Sequence, residues 1–383
     1  MSATSPKPPT KNLIVAAKRG LVDTVRQLLD TGAKIDQRDK ESATALIWAC
    51  RRNRAEVLTE LVGRGADLLV QDGFGRSALF MAAYGCPEKS VRALVEAGAP
   101  VNVADQAGFT PLLMAAMKGR SGVVRYLVEK GADARAADNH GLTALHRLTP
   151  YGKREALKAL LDAGADVNAA DRDGATPVFG VLDPVTLCWM LERGADIRVR
   201  CTNGNTTLLH CCYPRPESLP CLRLLLDAGA DIDAQDDSGT ALHRAAQMGE
   251  IAQTHLLIER GADVNVVAAR SGMTPLMCAA SNPATEPELL DLLLDADADI
   301  EARSLRGETV LFYAARSGNS RVVERLLERG ADPCAKNDLG QMPLEVHQTH
   351  PRRFYRNTRP EIAADLAAIE ALLIVAGTSR AEH

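Results

Sequence analysis

Residues 105–137, DQAGFTPLLMAAMKGRSGVVRYLVEKGADARAA, carry two apolar bursts of helical period separated by polar punctuation. In the first, Leu112, Ala115 and Ala116 stand at i, i+3 and i+4, one face of a helix. Thr110 before Pro111 supplies an N-cap oxygen and then a residue whose missing N–H is no loss at the first helical position. The second burst, VVRYLVEK, runs into Gly131, which takes the left-handed conformation that ends a helix. The pattern predicts two antiparallel helices and a protruding turn.

The unit recurs. Gly-Ala-Asp or a close variant stands at Gly32, Gly65, Gly98, Gly131, Gly164, Gly194, Gly229, Gly261 and Gly330, the first five spaced by 33 residues. Asp297 fills the remaining station, a residue that tolerates the left-handed conformation better than most. Asp39, Asp72, Asp105, Asp138 and Asp171 open successive units, and Thr176-Pro177 and Thr274-Pro275 repeat the helix start. The iterated 33-residue pattern resembles the ankyrin repeat. That resemblance implies an all-α fold, an ankyrin-repeat solenoid of stacked antiparallel helix pairs with protruding β-turn fingers.

About eleven units fall at roughly 11–38, 39–71, 72–104, 105–137, 138–170, 171–200, 201–235, 236–268, 269–303, 304–336 and 337–376. They are expected to form one domain, with 1–10 a disordered leader and 377–383 a tail. Unit six is short (GATPVFGVLDPVTLCWMLERGAD), unit seven carries a small insertion and unit eight lacks one finger residue, so the stack is expected to bend there. The last unit has a basic insertion, HPRRFYRNTRP, before a helix at about 361–375, and reads as a modified cap.

Composition narrows the function. An apolar fraction of 46% with only 4% aromatics suits a core of Leu, Val and Ala. A formal net charge of −4 gives no global basic field, so binding to nucleic acid is not favoured. No apolar run is long enough for a signal peptide or a membrane span. Nine cysteines without framework spacing fit a reducing compartment, and the expected location is cytoplasmic.

Three stretches imitate sites. DGFGRSA (72–78) satisfies a dinucleotide fingerprint, but the next unit begins where a second parallel strand is required. His146 and His243 occupy a Thr-x-Leu-His position, where the resemblance implies a turn-bonding role, and no nucleophile with an oriented base is assembled around them. In GNTTLLHCCYPRPESLPC (204–221), Cys211 and Cys212 lie over the small pair of the first helix and Cys221 over an apolar position of the second. Adjacent helical residues point about 100° apart, which makes one tetrahedral zinc hard to bind, and leaves Cys201 and His210 as the exposed pair. No catalytic, metal or cofactor site is expected, and no small-molecule substrate.

The faces opposite the small pairs line a groove in the stack. They supply Lys18, Arg19, Trp48, Arg51, Arg52, Met81, Tyr84, Met114, Met117, Lys118, Arg147 and Tyr151, then Tyr213, Arg244, Met248, Tyr313 and Arg316. Trp, Tyr, Met and Arg are the side chains that anchor protein interfaces, and the charge of this set is positive. The expectation is a non-enzyme that binds the acidic or carboxylate-bearing surface of a protein partner in its groove and fingers. The resemblance implies an inhibitor, an immunity-type protein or a scaffold; a secreted microbial effector and a regulatory subunit of a partner enzyme stay open, as does an RNA contact through Arg352, Arg353, Arg356 and Arg359. Asn102, Asn168 and Asn265 occupy Val-Asn positions at which ankyrin proteins resemble substrates of asparaginyl hydroxylases; the alternative is a turn-stabilising amide.

Overall fold

In the computed structural model, which describes residues 12–349 and 360–381, the chain packs as two compact units, Met1–Val181 with Trp189–Ala195 and Leu182–Cys188 with Asp196–His383. The basic insertion at 350–359 lies outside the described residues. Among those described, the regular structure is helical, with isolated bridges but no strand.

The first unit holds α1 (Leu13–Arg19), α2 (Val22–Asp30), α3 (Ala45–Arg51), α4 (Ala55–Gly63), α5 (Ala78–Gly85), α6 (Glu88–Glu96), α7 (Pro111–Met117), α8 (Ser121–Glu129), α9 (Ala144–Leu148) and α10 (Arg154–Asp162); α11 (Pro184–Leu191) follows. The second holds α12 (Thr207–Cys211), α13 (Ser218–Asp227), α14 (Ala241–Met248), α15 (Ile251–Glu259), α16 (Pro275–Ser281), α17 (Pro287–Asp295), α18 (Val310–Ser317), α19 (Ser320–Glu328), α20 (Pro343–Thr349) and α21 (Pro360–Ala381). Inner helices pack on inner helices, α1 on α3, α5, α7 and α9 in turn, and α12 on α14, α16, α18 and α20; the outer helices do likewise. Ala49 with Cys50, Ala82 with Ala83 and Ala115 with Ala116 are all buried, which is how short side chains let successive inner helices approach.

The caps explain the boundaries. Thr44, Ser77, Thr110, Thr206 and Thr274 each accept the N–H three residues on. Thr176 does not, because PVFG folds only into a 3-10 turn, Pro177–Gly180, where a Cβ on Gly180 would lie 2.7 Å from the Thr149 hydroxyl. Outer helices end in a paired bond: Gly32 N–H donates to Leu29 and Ala33 N–H to Leu28. Asp297 does the same at φ +66°, its N–H on Leu294 and that of Ala298 on Leu293. Asp297→Gly is therefore expected to stabilise the second unit by about 0.5–1 kcal/mol, relief of left-handed strain exceeding glycine's entropic cost. Its denaturation midpoint reads this out, and an unchanged or lower midpoint counts against strain at Asp297.

Fingers form by a shared device. The Asp105 carboxylate accepts from the N–H groups of Ala107 and Phe109, and Asp39, Asp72, Asp138 and Asp171 repeat this. Neighbouring fingers then bond through backbone: Gln106 N–H to Phe74, Asn139 to Ala107 and Arg172 to His140. Gly75, central to the apparent dinucleotide fingerprint, is such a fingertip; at φ +82° its Cβ would stand 3.1 Å from the Gln106 nitrogen. The closing helix α21 runs six residues past the expected end, through Gly377, since one glycine costs a helix only about 1 kcal/mol. Leu366, Ile369 and Leu373 form its buried face, and the imidazole of the buried His347 lies 2.8 Å from the Ala315 carbonyl and 3.1 Å from that of Leu366.

Candidate protein-binding surface

Of the side chains expected to line a groove, four are buried: Trp48 (4% exposed), Met81 (7%), Met114 (8%) and Arg244 (8%). The residue before the small pair lies between successive inner helices rather than on the open face. There it takes part in the finger. The Trp48 indole N–H donates to Asp39 Oδ2 at 2.7 Å, Arg147 Nη2 to Asp138 Oδ2 at 2.6 Å, and Arg244 pairs with Asp236 while donating to the Leu209 carbonyl at 2.8 Å. Tyr313 stands at the corresponding position and is half-buried, which raises its phenol above the usual value.

These contacts also absorb much of the positive charge. Lys18 lies 3.3 Å from Asp39, Arg51 is 2.8 Å from Glu41, and Arg316 pairs with Glu308. Burial alone would raise the Asp39 and Asp138 carboxyls; hydrogen bonds from Trp48 and Lys18 on the one, from Arg147 on the other, and from backbone N–H groups on both outweigh it and hold them below the usual carboxylate range. The sequence reading missed the acids as partners. The available signal was an acid with a donor nine residues later, or eight where a finger has lost a residue, as between Asp236 and Arg244.

What stays open lies at the C-terminal ends of the inner helices. Lys18, Arg51 and Arg52 surround the Trp48 ring at 3.6, 4.5 and 5.7 Å from its centroid, so the structure brings these four together. Lys118 lies 4.2 Å over the ring of Tyr84, which is 46% exposed. Tyr151, 48% exposed, covers Gly119 and donates its hydroxyl to the Met117 carbonyl at 2.8 Å; Met117 is half-buried beneath. Arg19, Arg52 and Lys118 are exposed and make no ion pair among the described residues. In the first unit, Arg19, Arg52, Tyr84, Lys118 and Tyr151 thus form a strip with one member per repeat. At about 10 Å between neighbouring helices the strip spans about 40 Å. In the second unit only Tyr213 and Met248 of the expected set are exposed.

The stretches that imitate sites are built into the repeats as follows. The ring nitrogens of His146 and His243 bond their own threonine cap and the carbonyls of Ala175 and Met273, and burial lowers both imidazoles. Cys211, Cys212 and Cys221 are buried, which pushes the Cys212 thiol up to about 12 and that of Cys221 to about 11, and raises Cys211 further. His210 and Cys201 are half-buried. The Asn102 amide donates to Gly131 and accepts from Asp133, and Asn265 ties Asp297 and Asp299 alike, so these side chains join successive repeats.

A family model described as ankyrin repeats (3 copies) matches residues 13–105, 79–171, 182–268 and 254–337. Among curated proteins the chain is similar to the B-cell lymphoma 3 protein homolog of Mus musculus, 35% identical over 162 residues, and to the B-cell lymphoma 3 protein of Homo sapiens, 34% over 168. These matches take in 41% and 43% of this chain and 35% and 36% of those proteins, so the chain spans about a third of their length. It is also similar to an L-asparaginase of Dirofilaria immitis, 30% identical over 154 residues, 40% of this chain and 25% of that one. No described helix is long and apolar enough to cross a membrane.

Proposed function

Because the chain belongs to the ankyrin repeat family, we propose that it is a non-catalytic module that holds a partner protein, and that the strip in its first unit takes an acidic segment of that partner. One observation carries this reading: on one row of helix ends, three exposed cations that make no ion pair among the described residues stand beside two exposed tyrosines. Carboxylates of the partner pair with Arg19, Arg52 and Lys118, while its apolar side chains cover Tyr84 and Tyr151. Trp48, Met81, Met114 and Arg147 support the row from beneath. Occupying a partner in this way suits an inhibitor, an immunity-type protein or a scaffold. The likeness to an asparaginase takes in only 25% of that protein, and both ring nitrogens of His146 and of His243 are already bonded within the repeats.

Selection of displayed peptides on the full chain is expected to return Asp- and Glu-rich sequences interspersed with apolar residues. The triple variant Arg19→Glu, Lys118→Glu, Arg52→Glu should weaken the best of them about 100-fold, at about 1 kcal/mol per reversed exposed charge, without moving the melting midpoint. Equal affinity for variant and parent, at equal stability, removes the strip as the binding surface.

A further inference from the structure

Cys50 and Cys86 occupy the seam between the second and third repeats. Cys50 is the second small residue of α3, 2% exposed; Cys86 caps α5 in extended conformation, 1% exposed. The Cys86 thiol donates to the Cys50 carbonyl oxygen at 3.1 Å, which brings the two cysteines together across the seam. Arg120, from the fourth repeat, reaches under the same turn and donates to the carbonyls of Ala82, Ala83 and Cys86. We propose that Cys50 and Cys86 are a disulfide-forming pair, oxidised by a peroxide, that staples the second repeat to the third.

The chemistry has a direction. The neighbouring Cys50 side chain and the Arg120 cation, working against burial, hold the Cys86 thiol below its usual value, whereas burial pushes Cys50 well up; Cys86 is the nucleophile. Its thiolate attacks one peroxide oxygen, the O–O bond breaks, and hydroxide leaves as water with the thiol's proton, giving a sulfenic acid at Cys86. The Cys50 sulfur then attacks the Cys86 sulfur, the S–O bond breaks, and a second water departs with the Cys50 proton. Two thiols are oxidised and one peroxide is reduced to two waters. Peroxide reaches the pair at the turn, where Gly85 and Pro87 flank Cys86 and are exposed. The other buried thiols are not lowered in this way: burial holds those of Cys278 and Cys212 at about 12 and that of Cys221 at about 11, and raises Cys211 further.

The staple fixes α3 relative to α5, and so the separation of Arg52 from Tyr84 on the open strip. Full-length native protein treated with hydrogen peroxide, then alkylated and digested with trypsin without reduction, is the test. The expected product is a cross-link between the peptides 41–51 and 77–89, lighter by two hydrogens than their sum and split by dithiothreitol. It should form before oxidation of the exposed Cys188, raise the melting midpoint of the first unit, and vanish in Cys86→Ser. Recovery of both peptides alkylated while Cys188 is oxidised overturns the proposal, as does a sulfinic acid on Cys86 without a cross-link. Both are read on the parent protein, so failure of the serine variant to fold does not blunt the test.

Discussion

Arg244→Ala is expected to destabilise the second unit by about 3–5 kcal/mol, while Arg52→Ala in the first shifts stability by no more than about 0.5 kcal/mol. Both arginines lie in the same inner-helix pattern, yet their surroundings differ. Arg244 is 8% exposed, bridges Asp236 to the Leu209 carbonyl of the preceding repeat, and lies 5.5 Å from the Tyr213 ring. Its removal strands a nearly buried carboxylate and a carbonyl, which is the costly way to break a pair. Arg52 loses only an exposed cation at 5.7 Å from an indole. Arg244→Lys should recover part of the loss, since an ammonium cannot fork to both acceptors. Chemical denaturation of the three variants checks this, and an Arg244→Ala cost near that of Arg52→Ala would sink the account of Arg244 as an internal strut.

That contrast marks what the sequence makes legible. Helix starts and stops are local chemistry, so Thr110-Pro111, Gly131 and even Asp297 announce themselves, and iteration turns a weak local signal into a fold. Burial along an inner helix is a property of two adjacent repeats. Trp48 and Arg244 look like interface anchors until Asp39 and Asp236 are seen closing on them, and position along the inner helix, not residue type, separates the exposed Arg52 from Arg147 on its Asp138. The sixth repeat shows the other limit: its threonine and proline start a helix on paper, but Gly180 and Pro184 leave four residues, too few for an α-helical turn with a cap. The contact of the Cys86 thiol with the Cys50 carbonyl spans 36 residues and breaks the register, because Cys86 lies in a turn rather than at a small-pair position.

Asp138→Asn is expected to cost about 3 kcal/mol at neutral pH and to change how stability depends on pH. The Asp138 side chain is wholly shielded from solvent and receives the N–H groups of His140 and Leu142 and the Arg147 guanidinium. An amide oxygen can keep the two backbone bonds, but its NH2 then faces the guanidinium, so the pair is lost and the cation is left behind. The carboxyl is held below its usual value when folded. Its contribution is therefore complete above the unfolded value of about 4 and fades as pH falls through the folded one. Between pH 6 and pH 3 the gap between parent and variant should narrow, the parent losing stability that the variant never had. Asp39, depressed by the same kind of bonds, keeps a share of the acid sensitivity in the single variant, and Asp39→Asn added to Asp138→Asn should flatten it further. Added salt should leave the neutral-pH cost of Asp138→Asn almost intact, because ions do not reach a shielded carboxylate. A cost that vanishes in salt, or a gap that widens on acidification, would mean that the fingers are held by surface charge and not by a buried acid at the root of each turn.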